Sequence, residues 1–315
     1  MPNPFYMRDI LSMKDFAREE LDLLFSTADK ILSMKYRERV ALGEGRILGI
    51  MFFEPSTRTR LSFESAMASI GGTSVGFSET KTTSIEKGES LADTVRVVEA
   101  NADVLVLRHL YEGAARFAAE IALKPVISGG TGTEEHPTQA MLDLYTILKE
   151  KKQIDGLRVG IVGDLKYGRT VYSLIYGLAK YNVEVDLVAP PTLKIRQEAA
   201  HDIEQIKVAG SSRSIEIREF EDLHSILPNL DVLYMTRIQR ERFPDEQEYE
   251  KVRGSYYIDA AQVEKMKSDA IVMHPLPRVD EIRPDVDSTK QARYFKQMQY
   301  GRTVRAALLS LILNA

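Results

Sequence analysis

The sequence contains no cysteine in 315 residues. That absence excludes disulfides, thiol catalysis, thiolate zinc sites and iron–sulfur clusters on this chain. Histidine is scarce too, five in all, so an imidazole cage has little to draw on and no metal or cofactor is expected. Long hydrophobic runs are also missing. No segment approaches the roughly 18–20 apolar residues needed to cross a bilayer, and the longest apolar stretch, Ala306 to Leu313, is short and interrupted by Ser310. The N-terminal MPNPFYMRDILSMKDFAREE breaks every apolar run with charge, so it has no signal-peptide core. A cytoplasmic protein without a membrane partner is the expectation. The last absence is an excess of one charge. Forty-two Lys and Arg against 46 Asp and Glu give a net charge of −4, with the charges interspersed. That rules out a basic nucleic-acid sheath, and no nucleic-acid partner is expected. Chemistry on this chain must use hydroxyls, guanidiniums, imidazoles and backbone dipoles.

What is present is an ordinary soluble composition, 44% apolar and 28% charged. At about 150 residues per domain, the length suggests two domains. Short β-rich runs alternate with helical periods, the signature of parallel sheets built from βαβ units. In the first half, strands are expected at 47–53, 74–78, 103–107 and 125–128. Helices are expected at 56–70, 90–100, 112–121 and 137–149. A composition shift over Glu150 to Gly156 marks the domain boundary. A second series follows, with strands at 158–162, 184–188, 215–220, 231–235 and 270–273 and a final helix at 303–313. The predicted fold class is α/β, two doubly wound parallel-sheet domains.

The most informative segment is Phe52-Phe53-Glu54-Pro55-Ser56-Thr57-Arg58-Thr59-Arg60. Pro55 disfavours helix at Glu54, so the strand ends there, and Ser56 or Thr57 can cap the helix that follows. A first helical turn exposes unpaired N–H groups at the positive end of the dipole, which suits a phosphate. The hydroxyls of Ser56, Thr57 and Thr59 add donors, and Arg58 adds a charged fork. Arg60, two residues on, faces elsewhere and reads as structural. Ligands of open α/β sheets bind beyond the carboxyl ends of strands. Arg108 and His109 end one predicted strand, and His136-Pro137-Thr138-Gln139 follows another. His136 and Gln139 are placed on one helical face by their spacing.

The second half supplies further cations after strands. Gly163-Asp-Leu-Lys-Tyr-Gly168-Arg169-Thr170 nearly matches a phosphate loop, with Arg169 where that motif has lysine. A planar guanidinium suits a carboxylate better than it replaces a point charge among phosphates. Tyr234-Met-Thr-Arg237-Ile-Gln239 places another Arg and a Gln past a strand. The charged stretch behind it reads as a closing loop, with Arg240 and Arg242 on a solvated face. His274-Pro275-Leu276-Pro277-Arg278 follows the last strand. Prolines carry no N–H, so its carbonyls are open to a substrate amine. His274 fits a structural role as well as a functional one.

Five ordered motifs, Ser56 to Arg60, His136 to Gln139, Gly163 to Thr170, Tyr234 to Gln239 and His274 to Arg278, resemble those of the aspartate/ornithine carbamoyltransferase family over essentially the whole chain. The resemblance implies transfer of the carbamoyl group of carbamoyl phosphate to the amine of L-aspartate. The products are N-carbamoyl-L-aspartate and phosphate, an early step of de novo pyrimidine biosynthesis. It implies a carbamoyl-phosphate domain over 1–148, with a C-terminal helix from about 291 to 315 packing back on it. An aspartate domain over 149–290 follows, with the active site between the two. Ser56, Thr57, Arg58, Thr59 and Arg108 would hold the phosphate. Thr59, Arg108 and His136 would polarise the carbonyl oxygen, and Gln139 with the backbone at Leu276 would address the carbamoyl amine. Arg169, Arg237 and Gln239 would hold aspartate. Ser84 and Lys87, on the polar loop from Glu79 to Glu89, would come from a neighbouring subunit, Lys87 also reaching aspartate. Such sharing implies a homotrimer. Zinc in any larger assembly would belong to a partner such as a separate regulatory chain, since this chain has no thiolate. Ornithine members typically carry Ser-Met-Gly and His-Cys-Leu-Pro motifs; this chain has neither, and two arginines suit a dicarboxylate.

The chemistry agrees. An amine attacking carbamoyl phosphate develops charge on the carbonyl oxygen and on the departing phosphate, and preorganised donors are the main resource. No covalent nucleophile is required, and the bound phosphate can accept the proton. Two other readings stand beside this one: a nucleotide-hydrolysing phosphate-loop protein acting at Gly163 to Thr170, and a noncatalytic anion-binding module.

Overall fold

The computed structural model describes residues 3–81, 83–211, 214–240, 243 and 245–315. The chain forms two compact units, Met1–Leu142 with Gln299–Ala315, and Asp143–Met298. Both divisions fall inside a helix.

The first unit begins with α1 (Arg18–Ser33) and α2 (Tyr36–Val40). It continues as β1 (Ile47–Phe52), α3 (Thr57–Ser69), β2 (Thr73–Phe77), α4 (Leu91–Glu99), β3 (Val104–His109), α5 (Ala114–Ile121) and β4 (Val126–Thr131). Helix α6 (Pro137–Lys151) leads into the second unit. There follow β5 (Arg158–Val162), α7 (Arg169–Leu178), β6 (Glu184–Val188), α8 (Gln197–Gln205), β7 (Glu216–Phe220), β8 (Val232–Met235), α9 (Glu246–Val252), α10 (Ala260–Val263) and β9 (Ile271–Met273). Helix α11 (Tyr294–Leu313) returns the chain to the first unit.

Both sheets are wholly parallel, in the orders β2-β1-β3-β4 and β7-β6-β5-β8-β9. The order reverses between β1 and β3 in the first and between β5 and β8 in the second. The central strands are covered on both faces, which is why they read as unbroken apolar runs. Val104, Leu105, Val106 and Leu107 are all fully buried. In the first unit, Met51, Leu105, Leu107 and Val126 pack against Val95 of α4 and Ala115 and Ala118 of α5. In the second, Val162, Leu233 and Val272 pack against Leu227, Leu230, Val263 and Val286. Each such aliphatic side chain contributes roughly 1.5–3 kcal/mol by leaving water.

Several elements depart from the sequence reading, which named no helix before β1 although α1 and α2 lie there. Strand β4 runs on through Gly129 and Gly130 to Thr131, instead of stopping at Ser128. A β-carbon on Gly129 would lie 3.3 Å from the Leu107 carbonyl, and the pairing with β3 shifts register there, so small residues continue the strand. Helix α11 starts at Tyr294, close to the start near 291 that the resemblance implied; the apolar pattern showed it only from Thr303, because its first turns bury only Tyr294 and Gln297 and lack a continuous apolar stripe.

Two buried polar clusters tie these elements together. Arg305 of α11, 3% exposed, donates to Ser62 Oγ of α3 at 2.8 Å and Thr138 Oγ1 of α6 at 3.4 Å, and lies over the Phe63 ring. Asp143 of α6 accepts from Tyr234 Oη at 2.8 Å and Gln297 Nε2 at 2.6 Å. Burial and the Asp143 carboxylate push the Tyr234 hydroxyl well above its usual range, so it stays a donor. Buried donors that lose their acceptor cost more than the bond itself contributed. Asp143→Ala is therefore expected to lower unfolding free energy by about 3 kcal/mol and Tyr234→Phe by about 1.5 kcal/mol, read from urea denaturation midpoints.

Candidate active site

In the first unit the reversal of strand order places the ends of β1 and β3 side by side, Phe52 standing opposite Arg108. Ser56 is the N-cap of α3 in extended conformation, and its side chain makes no cap hydrogen bond. Thr57 is exposed and Arg58 half-buried on the first turn, while Thr59 is buried. Arg60 pairs with Glu64 at 2.7 Å one turn on, so its guanidinium serves the helix itself. Thr59 Oγ1 lies 3.5 Å from His136 Nε2. His136 is not on a helical face as its spacing suggested. It precedes α6, and its carbonyl accepts the N–H of Gln139 at 2.9 Å, because Pro137 opens the helix after it. Gln139 is half-buried on the first turn.

Arg108 is 8% exposed, donating to the Gly129 carbonyl at 3.1 Å and pairing with Glu54 at 3.2 Å. Glu54 was read only as the end of a strand, although it sits inside the richest motif. Its carboxylate holds the guanidinium that a phosphate would need. His109, delivered by the same strand, is turned toward Phe53 and Tyr111, and its Nδ1 accepts the Tyr111 N–H at 3.0 Å. Burial pulls its pKa down, against the opposing pull of Glu54. Glu135 was missed as well. Buried beside His136, it accepts the Met13 N–H at 2.8 Å and the Ser12 hydroxyl, anchoring the segment that carries the imidazole.

Ser84 and Lys87 lie on one exposed turn of 3-10 helix, Ser84–Lys87, capped by Thr83. No hydrogen bond or ion pair among the described residues links either to Thr59, Arg108 or His136.

In the second unit, β5 and β8 end together at the other reversal. Gly163 follows β5 at φ +123°, and a β-carbon there would stand 2.3 Å from the Thr236 carbonyl. Asp164, fully buried, accepts the N–H groups of Lys166 at 3.2 Å and Tyr167 at 2.9 Å. A phosphate loop presents its N–H groups to the ligand; here two turn to Asp164 instead. Arg169 is the first residue of α7 and is 8% exposed. Arg237 and Gln239 follow β8, both half-buried. Arg237 lines a pocket with Arg240, Arg253, Tyr249, Tyr256 and Asp280. Arg240 is exposed and pairs with Glu246, as a solvated residue would, yet it also borders this pocket. Arg253 was not singled out, lying in a helical tail with no motif around it. Arg242 lies outside the described residues. Leu276 is half-buried in the turn after β9, and His274 is turned inward with 1% exposure.

Two parallel-sheet units, each gathering arginines and hydrogen-bonding side chains past the carboxyl ends of its strands, define an enzyme class that handles small anions. The comparisons are more specific. Residues 8–149 match the aspartate/ornithine carbamoyltransferase carbamoyl-P binding domain, and residues 155–312 match the Asp/Orn binding domain of the same family. The chain belongs to the aspartate/ornithine carbamoyltransferase family. It is 54% identical over 312 residues to the aspartate carbamoyltransferase catalytic subunit of Nitrosopumilus maritimus, covering 99% of this chain and 98% of the relative. The catalytic subunit of the Thermococcus onnurineus enzyme is 51% identical over 308 residues, 98% of this chain and 97% of that one. Among solved structures, Trypanosoma cruzi aspartate transcarbamoylase in complex with carbamoyl phosphate and aspartate superposes with a TM-score of 0.92 at 37% identity, covering 100% of this chain and 99% of that chain. The catalytic subunit of the M. jannaschii enzyme gives 0.85 at 48% identity, covering 96% of this chain and 97% of that one.

Two outcomes are expected from these pairings. Removing the carboxylate charge in Glu54→Gln should tighten inorganic phosphate binding by about three- to tenfold, since the anion no longer competes for Arg108; calorimetric titration reads it. Burial pushes the Asp164 carboxyl above its ordinary value of 3.8, against the N–H groups of Tyr167, Gln239 and Lys166. A carboxyl raised on folding is disfavoured once the pH exceeds that value and carries no such penalty below it. Asp164→Asn should therefore gain thermal stability relative to wild type as pH rises above 4, and lose that advantage as pH falls toward 3, followed by calorimetry across that range.

Proposed function

We propose that this chain transfers the carbamoyl group of carbamoyl phosphate to the α-amine of L-aspartate, releasing phosphate and N-carbamoyl-L-aspartate. The observation that carries this reading is the convergence of Thr59, Arg108 and His136. Three separate segments deliver them to one strand-end edge, with Thr59 Oγ1 and His136 Nε2 3.5 Å apart. In the first unit, which holds residues 1–142 of the carbamoyl-phosphate domain proposed for 1–148, Ser56, Thr57, Arg58, Thr59 and Arg108 bind the phosphate. Thr59, Arg108 and His136 aim donors at the carbonyl oxygen, where charge grows as the amine attacks. Gln139 and the backbone at Leu276 take the carbamoyl amine. In the second unit, Arg169, Arg237 and Gln239 hold the two carboxylates of aspartate.

The neutral amine nitrogen attacks the carbonyl carbon, the bond from that carbon to the phosphate oxygen breaks, and the amine proton passes to the departing phosphate. No side-chain base is needed. Solved relatives hold a substrate and the products of this reaction: T. cruzi aspartate transcarbamoylase has been seen with carbamoyl aspartate and phosphate, and with aspartate and phosphate. The exposed turn carrying Ser84 and Lys87 suits a role in the site of a neighbouring copy, and a homotrimer follows from that sharing. A separate regulatory chain would bring any zinc. No helix of the described residues is long and apolar enough to cross a membrane.

The direct test is formation of carbamoylaspartate by purified protein; an inactive oligomer, or magnesium-dependent nucleotide hydrolysis instead, would overturn the reading. Arg169→Ala and Arg237→Ala should each raise the KM for aspartate by about 10- to 100-fold while leaving carbamoyl phosphate binding within twofold, the loss expected for one charge-assisted pair. Mixing Lys87→Ala with His136→Ala chains should restore part of the activity that either lacks alone. Mixed oligomers as inactive as their parents would refute the shared site.

A further inference from the structure

The turn after β9 is held from within by its first and last residues, His274 and Glu281. His274 Nδ1 accepts the N–H of Leu276 at 2.7 Å, which leaves Nε2 to carry the ring proton. Nε2 donates to Glu281 Oε1 at 2.7 Å. The other oxygen of Glu281, Oε2, accepts the N–H of Val279 at 3.1 Å and of Asp280 at 3.0 Å. Neighbouring elements fix both ends of the arrangement. Gln297 Oε1 of α11 accepts the His274 N–H at 3.0 Å, and the Glu281 carbonyl accepts the Ile258 N–H at 3.0 Å. Both side chains are buried, at 1% and 7% exposure.

The protonation states follow from the environment. Burial pulls the His274 ring down from its ordinary value, with Glu281 opposing, so the ring is neutral. Burial works against ionisation of Glu281 too, but the bond to His274 and the backbone donors hold its carboxyl below the ordinary value. A neutral imidazole therefore bridges an ionised carboxylate and a backbone amide.

The consequence lies in what the turn has left to offer. Pro275 and Pro277 have no N–H, and Leu276, Val279 and Asp280 give theirs to the pair. The carbonyls of Pro275, Leu276 and Pro277 are the acceptors it has to offer. Leu276 also stands at φ +54°, a left-handed conformation that a residue with a β-carbon avoids unless it is held there. The clasp on its N–H supplies the restraint.

We propose that His274 and Glu281 are a positioning pair that turns the N–H groups of this loop inward and so presents it to carbamoyl phosphate as an acceptor of the substrate amine. This rests on the role of Leu276 proposed above and extends it to the two side chains that set the backbone. Both act through Leu276.

Amine-selective binding is the readout that a merely structural role would not move. Acetyl phosphate has a methyl where carbamoyl phosphate has its amine, and inorganic phosphate has neither. In the full-length protein, Glu281→Gln and His274→Leu should each weaken carbamoyl phosphate binding by about tenfold, a single lost hydrogen-bonding arrangement. Acetyl phosphate and inorganic phosphate should stay within twofold of wild type. His274→Asn keeps an acceptor for the Leu276 N–H and should recover much of the loss, so the conservative variant decides the matter even if His274→Leu fails to fold. Equal weakening of carbamoyl and acetyl phosphate, or unchanged carbamoyl phosphate binding in Glu281→Gln, would overturn the pair. Wild-type turnover is scored separately: without carbamoylaspartate from wild type the catalytic reading fails, whereas amine-selective loss in the variants tests the pair alone.

Discussion

In a parallel sheet whose strand order reverses, the two strands at the reversal send their following segments to opposite faces, and a crevice opens beyond their carboxyl ends. Each unit of this protein is built on that constraint. Where β1 meets β3, it leaves Ser56 to Thr59 and Arg108 side by side. Where β5 meets β8, it sets Gly163 to Arg169 beside Thr236 to Gln239. The apolar strands do no chemistry. Their burial on both faces makes them rigid, and rigidity is what donors need if they are to meet developing charge without reorganising.

Gathering arginines near strand ends carries an electrostatic cost that Glu54 offsets, and four carboxylates of the two units each have a defined task. Glu54 occupies Arg108. Asp164 ties down the loop before Arg169. Glu281 restrains the turn that contains Leu276, and Asp143 binds Tyr234 and Gln297. Most of these accept from groups that stay with the protein, which keeps the scaffold fixed because buried polar networks hold best when fully paired. Glu54 differs, because its partner is a cation that an incoming anion also wants.

Local patterns made much of this readable in advance. Strands β5 and β6 appear over the residues that alternation and apolar content indicated, since fully buried parallel strands are short, unbroken and bounded by polar turns. The start of α3 was readable because Pro55 ends the strand locally and the helix follows at once. The first half of α11 came only with the family resemblance and not from local pattern, its packing resting on two buried residues, Tyr294 and Gln297, too few to make a stripe. His136 was read on one helical face with Gln139, whereas it stands just before Pro137, where both the expected helix and α6 begin. Glu54, Glu135 and Asp143 escaped notice as functional groups for one reason. A lone carboxylate has no local signature when its partner is distant in sequence, as Glu135 is from Ser12 and Asp143 from Gln297.

The sequence by itself determined the α/β class, the order of strands and helices and which segments end in cations, because hydrophobic period, proline and caps act within a few residues. It also excluded thiol chemistry outright. The tertiary structure decided which strands are neighbours, and hence which cations share an edge. It also set the Glu54 carboxylate against Arg108. Those outcomes depend on side chains separated by tens to hundreds of residues, and only the closing of the sheets brings such groups within hydrogen-bonding distance.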